Sequence, residues 1–326
     1  MRNTRPQTSG FSHGILFACG TLALTSYLLW QEYRVGALIL AALGLTGLIG
    51  VLVALRVRNS QDAAVSSAGT GSNELEKNPL ISVIICSVDP KKYDAVCANF
   101  RDRLVDSPYE IIGIHDAKSL SEGYNRGIDR SQGDILIFCH DDIEIISPSF
   151  SSLLREHLRT FDVIGCAGTV RLKGSKWVSS GDPHVHGVVA CPVGRIWPAE
   201  RFDVWLWGGV ELTQIGDIQA LDGFFIATKR HVVNSVRFDE KTFDGFHLYD
   251  TDFSYAAFLR GFELAVCKDI LIAHQSGGNF GDVYKTYADR FREKYKDSLS
   301  ENTEDGTCIH TKYQNVDRDQ MLKAWF

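Results

Sequence analysis

From residue 80 to residue 139 the chain alternates between short continuous apolar runs and helically spaced segments. Residues 80–86, Leu-Ile-Ser-Val-Ile-Ile-Cys, show no polar alternation, which is the signature of a strand covered on both faces. Over 91–104, Tyr93, Val96, Cys97, Phe100 and Leu104 recur at helical spacing. A second strand is predicted over 110–115 and ends at Asp116. A second helix over 120–129 is closed by Ser-Gln-Gly133, and a third strand follows over 135–139. Strand, helix, strand, helix, strand predicts parallel βαβ units with right-handed crossovers, an α/β architecture.

Sheets of this kind bind ligands in the crevice beyond the carboxyl ends of their strands. The third strand stops at His140, Asp141 and Asp142. Carboxylates are costly to bury unpaired, so acids at such a place point to a cation or a phosphate. No Gly-x-Gly-x-x-Gly turn follows the first strand, which disfavours a dinucleotide dehydrogenase.

Further along, 162–168 reads as a fourth strand. Residues 171–215 are rich in Gly, Trp and Pro without a period, as expected of loops and short strands that build a substrate surface. Trp177, Trp197, Trp205 and Trp207 fall in this stretch, and either stacking on a ligand or plain packing accounts for them. A strand over 224–228, a helical turn over 229–235, a helix over 253–260 ended by Gly261, and one or two strands within 264–274 come next. Residues 283–299 predict an amphipathic helix with Tyr284, Tyr287, Ala288, Phe291 and Tyr295 on one face. The polar stretch 300–326 has no clear pattern and is expected to be a loose tail.

The amino-terminal part differs. Residues 14–30 and 35–55 are apolar, uncharged runs separated by Gln31-Glu-Tyr-Arg34. A spanning helix needs about 20 apolar residues, so 1–58 is expected to be a membrane anchor of two transmembrane helices. A single span with one buried or interfacial helix is the competing reading. Arg2, Arg5, Arg56 and Arg58 flank the outer ends, which by the positive-inside bias puts everything after 58 in the cytoplasm. Residues 59–78, rich in Ser, Ala and Gly, read as a flexible linker.

A net charge of −6 gives no basic footprint, so no nucleic-acid partner is expected. The eight cysteines lack zinc-ligand spacing and read as reduced, buried thiols. His184 and His186 alternate along the chain but have no third ligand of suitable spacing, so zinc is not expected there.

Six short motifs occur in order: Ile-Ser-Val-Ile-Ile-Cys86, Tyr-Asn-Arg-Gly127, Phe-Cys-His-Asp-Asp142, Leu-Asp-Gly-Phe-Phe225, Phe-Asp-Gly-Phe-His-Leu-Tyr-Asp-Thr-Asp252 and His-Gln-Ser-Gly-Gly278. Through them residues 79–299 resemble a GT-A-fold glycosyltransferase of the family 2 type. The subgroup resembled is the one whose Asp-x-Asp motif is written His-Asp-Asp. The resemblance implies a Rossmann-like, mostly parallel central sheet with flanking helices. It implies transfer of a sugar, with inversion, from a nucleotide-diphosphate donor to an acceptor hydroxyl. It also implies a divalent cation, Mn²⁺ or Mg²⁺, that neutralises the leaving diphosphate.

Residue by residue, the resemblance implies that Asp142 and His274 bind metal and that Asp250 is the general base, with Tyr249 in place of the family's Glu. Ser87, Asp116, Asn125, Arg126, His140 and Asp141 are implied on the donor side, Arg126 with a solvated helix charge as its alternative. His140 departs from the aspartate that the broader family has there. Asp222, Gly223 and Asp252 are implied on the acceptor side, Asp252 also as a helix cap. The amino-terminal anchor suggests a membrane-proximal glycan or a lipid-linked acceptor at the bilayer. The main alternative is a non-catalytic nucleotide-sugar-binding or scaffold protein. A phosphohydrolase built on His140-Asp141 is discounted, because that pair ends a strand.

Overall fold

The computed structural model describes residues 78–325, apart from 196, 210, 211, 279, 300, 302 and 304. The two apolar runs and nearly all of the linker, residues 1–77, lie outside the described residues. Among the described residues no helix is long and apolar enough to cross a membrane.

The expected βαβαβ start is present as β1 (Ile81–Cys86), α1 (Pro90–Arg103), β2 (Tyr109–Ile114), α2 (Leu120–Arg130) and β3 (Ile135–Cys139). Asp89 starts α1 by accepting from the backbone N–H groups of Lys91 and Lys92, with Pro90 at the first helical position. Ser119 starts α2 by accepting from Glu122 N at 3.0 Å, and Glu122 reaches back to Lys118 N at 3.1 Å. β1 lies between β2 and β3 and is parallel to both. Val83 and Ile85 pack with Val96 and Phe100 of α1, whereas Ile84 packs with Tyr124 and Ile128 of α2. Both faces of β1 are therefore covered, which is why the run shows no alternation.

The remaining elements are β4 (Ile143–Ile145), α3 (Phe150–Thr160), β5 (Val163–Gly165), β6 (Ala167–Thr169), β7 (Val185–Pro192), β8 (Arg201–Trp207), β9 (Gln214–Ile215), β10 (Ala220–Leu221), β11 (Phe225–Lys229), α4 (Arg230–Ser235), α5 (Tyr249–Leu259), β12 (Leu264–Cys267), β13 (Ile272–His274), α6 (Asp282–Lys294), β14 (His310–Asp317) and α7 (Arg318–Trp325). One sheet has the order β2-β1-β3-β11-β5-β12-β9. A second runs β10-β6-β7-β13-β4, with β8 beside β7 and β14 beside β8.

Three expectations need correction. The central sheet is mixed rather than mostly parallel. β11 follows β10 of the second sheet and enters the first sheet beside the carboxyl end of β3, so Phe225 pairs with Cys139 and β11 runs antiparallel to β3. The apolar run 162–168 is two strands, not one. It crosses between sheets at Cys166, with β5 in the first and β6 in the second. The stretch 300–326 is not a loose tail: β14 pairs antiparallel with β8, and Met321 of α7 is buried against Phe202 and Leu206.

Candidate active site

The parallel strands β1, β2 and β3 end on one edge, which carries Ser87, Asp116 and His140 to Asp142. β13 pairs antiparallel with β4 in a register that sets His274 opposite Ile143, next to Asp142. Gln275 N donates to Asp142 O at 3.0 Å and fixes that contact. His140 Nδ1 lies 3.1 Å from His274 Nε2. Asp142 Oδ1 lies 3.3 Å from His274 Nε2 and 3.9 Å from His140 Nδ1. Three candidate ligand atoms therefore converge within 4.8 Å of one another.

Asp142 is only 7% exposed. Burial alone would raise its pKa, but hydrogen bonds from His274 and from Ser276 N at 3.0 Å prevail and hold it well below the usual carboxylate range. Burial, with His274 adding to it, lowers His140 to about 3, so its ring is neutral and offers a lone pair. Two imidazole nitrogens and one carboxylate oxygen form a donor set that fits a divalent transition metal. His140 thus belongs with Asp142 and His274, whereas Asp141 does not: its Oδ2 accepts from Ser87 Oγ at 2.6 Å.

The second group of side chains comes from the turn before β11 and the first turn of α5. Trp177 Nε1 donates to Asp222 Oδ2 at 3.0 Å, and Phe224 N donates to Asp222 Oδ1 at 3.2 Å. Asp250 lies beside this turn. A Cβ on Gly223 would run into Asp250 and the Tyr249 hydroxyl, so only glycine allows this approach. A helix amino terminus by itself lowers a carboxylate's pKa. At Asp250 burial first, then the charge of Asp222, instead raises it to about 7, and the backbone N–H groups of the helix start offset only part of that rise. α5 begins at Tyr249 behind Leu248, whose φ of 60° is left-handed, so Asp250 sits in the first turn.

Both groups open onto one cavity of about 590 Å³, lined by His140, His274, Asp222, Asp250 and tryptophans. Trp205 and Trp207 alternate with buried Val204 and Leu206 on β8, so they share the cavity face. Their rings stack at 6.3 Å, and Trp177 meets Trp207 edge-on at 5.7 Å. Trp197 packs instead in the cluster around Phe202. The loop after His274 is clamped by Arg195, which donates to Gln275 O while Gln275 Nε2 donates to Arg195 O at 2.8 Å. No motif marked Arg195, because its partner is backbone.

Other expected site residues are used differently. Asn125 ties α2 to the 237–240 segment: Nδ2 donates to Phe238 O at 2.9 Å and Oδ1 accepts from Phe238 N at 3.1 Å. Arg126 pairs with Asp116 at 2.9 Å and with Glu122 at 3.2 Å, and its guanidinium lowers the pKa of exposed Asp116. Asp252 is 1% exposed and is held by Lys294 at 2.6 Å and Tyr295 Oη at 2.7 Å. It lies off the cavity lining and caps nothing, because α5 starts three residues before it. Among the described residues the one group of His, Cys, Asp and Glu that could hold a metal is His140, Asp142 and His274.

Residues 82–295 match the model of the Glycosyltransferase like family. No curated protein matches the chain. Among solved structures, the chain is similar to the mannosyltransferase PcManGT from Pyrobaculum calidifontis in complex with GDP-Man and Mn²⁺, at 10% identity and a TM-score of 0.39. That likeness covers 70% of this chain and 66% of the other. It is also similar to GalNAc-T7 with UDP, GalNAc and Mn²⁺, at 12% identity and a TM-score of 0.41, covering 69% of this chain and 49% of that one.

Proposed function

The chain belongs to the Glycosyltransferase like family, and from that premise we propose an inverting, metal-dependent transfer from a nucleotide-diphosphate sugar to an acceptor hydroxyl. One observation carries this reading. A single cavity is lined by His140 and His274 of the metal-capable cluster with Asp142 at one place, and by a carboxylate, Asp250, poised near neutrality at another.

A bound cation supplies charge neutralisation for the departing diphosphate. His140, Asp142 and His274 would hold it, and their nitrogen donors favour Mn²⁺ over Mg²⁺. Ser87, Asp116 and Asp141 lie at the strand edge where the nucleotide is proposed to sit. Asp250 takes the proton of the acceptor hydroxyl as that oxygen attacks the anomeric carbon. The bond between that carbon and the phosphate oxygen breaks, and the electron pair leaves with the nucleoside diphosphate. Asp222, Gly223 and the tryptophans Trp177, Trp205 and Trp207 form the acceptor side. Flat aromatic faces beside a carboxylate suit a sugar ring, which supports a glycan acceptor. The apolar runs before residue 58 support a membrane-proximal or lipid-linked acceptor on the cytoplasmic side of a bilayer.

The test is a donor screen on the full chain that scores metal-dependent release of nucleoside diphosphate. Release with one donor and Mn²⁺, abolished by chelation, is expected. No binding or turnover with any nucleotide sugar sinks the proposal.

A further inference from the structure

We propose that Tyr249 is a positioning residue for the metal site: it fixes the tautomer of His140 so that Nδ1 presents its lone pair to the cation. The inference rests on His140, Asp142 and His274 being the metal ligands. Tyr249 is 4% exposed, and its hydroxyl meets two groups, Gly223 O at 3.1 Å and His140 Nε2 at 2.7 Å. A phenol has one proton to donate, and a carbonyl can only accept. The proton therefore points to Gly223 O, and towards His140 the phenolic oxygen acts as acceptor. His140 must then carry its hydrogen on Nε2. A neutral imidazole has one N–H, so Nδ1 is left as the acceptor. Nδ1 is the atom that stands 3.1 Å from His274 Nε2 and 3.9 Å from Asp142 Oδ1. The other tautomer would aim a hydrogen at the cation.

The arrangement is held from behind. The Tyr249 ring packs against Tyr124 at 5.6 Å and Phe238 at 6.3 Å, which fixes where its hydroxyl lies. Gly223 is the one residue type at that point that leaves room for the hydroxyl. An imidazole ligand needs an outer partner to orient it, as an aspartate ligand does not in this way, and Tyr249 supplies it.

The experiment titrates the full-length protein with Mn²⁺ alone and follows the spin-resonance signal of the free ion. The parent, Tyr249→Phe, His140→Ala and the double variant are compared. Tyr249→Phe is expected to weaken Mn²⁺ binding about 10- to 100-fold, the usual cost of losing an outer partner of a ligating histidine. In the His140→Ala background the same change is expected to do nothing further. Tyr249→Phe binding within twofold of the parent, or an equal loss in both backgrounds, overturns the inference. If the parent and His140→Ala bind Mn²⁺ equally, the metal-ligand reading itself fails, which is a separate result. Nitrogen-15 NMR of the metal-free parent reads the tautomer without any substitution: hydrogen on Nε2 of His140 is expected, and hydrogen on Nδ1 refutes the proposal.

Discussion

The place that carries Asp142 and the place that carries Asp250 belong to the same site, yet their carboxylates are driven in opposite directions. Both are removed from bulk water, which by itself disfavours charge. Around Asp142 the neighbours are donors, His274 and the N–H of Ser276, and the charge is kept. Around Asp250 burial and then the charge of another acid, Asp222, raise the carboxyl to about 7. A group that must bind a cation at all times needs the first environment. A group that must take up and release a proton near neutral pH needs the second. Burial is common to both, so the sign of the neighbour decides which protonation state is favoured.

The largest expected effect comes from removing the titrating acid. Asp250→Asn is expected to lower kcat on the order of 10²- to 10⁴-fold, with donor and Mn²⁺ binding within a factor of about 3. Full activity in that variant breaks the comparison. The same change has a sign-determined effect on stability. A carboxyl raised from its ordinary value to about 7 stabilises the fold below the ordinary value, and this is lost as pH rises through about 7. At pH 8 metal-free Asp250→Asn is therefore expected to be about 1–3 kcal/mol more stable than the parent, and near pH 4 indistinguishable from it. Thermal melts across that range check it.

Next in size is the neighbouring acid that the site does not use. Asp252→Asn weakens the contacts with Lys294 and Tyr295 and is expected to cost about 1–3 kcal/mol of stability. The acceptor KM is expected to stay unchanged, and a raised KM would return Asp252 to the acceptor side. Replacing Mn²⁺ with Mg²⁺ at equal free concentration is expected to lower kcat/KM about tenfold, because two of three ligands are imidazoles. Equal rates would show that the nitrogen donors do not set the preference. Smallest is Asp222→Asn, which removes the like charge beside Asp250. The rising limb of the pH–rate profile, where Asp250 becomes able to accept a proton, is expected to move down by about one pH unit or less. A limb that stays in place means that burial alone sets the value.

Much of this was legible along the chain. β1, α1, β2, α2 and β3 fall within two residues of expectation, because strands covered on both faces leave continuous apolar runs. The motifs point to Asp142, His274 and Asp250, and the fold brings Asp142 and His274 into one cluster of possible ligand atoms. The place of His140 beside His274 is not legible, because the two residues lie 134 positions apart and meet only through the pairing of β4 with β13. The break at Cys166 was hidden, since a strand leaving one sheet for another stays apolar throughout. β14 was hidden for the opposite reason: it is joined through its main chain while most of its side chains remain exposed. The value near 7 at Asp250 is not legible in the sequence, because a helix start favours the reverse and only the folded chain brings Asp222 alongside.

β14 also decides where a cut in this protein would matter. It covers the outer rim of β8, the strand that carries Trp205 and Trp207, and its His310 ring stands 4.6 Å from that of Trp205. A protease that nicked the chain just before residue 310 would leave every acid and histidine of the centre untouched. It would nonetheless release the piece that shields β8. The bared strand would then offer its free N–H and C=O groups to a second molecule. Residues 310–317 thus shield the edge of β8, and losing them is expected to appear as self-association in solution.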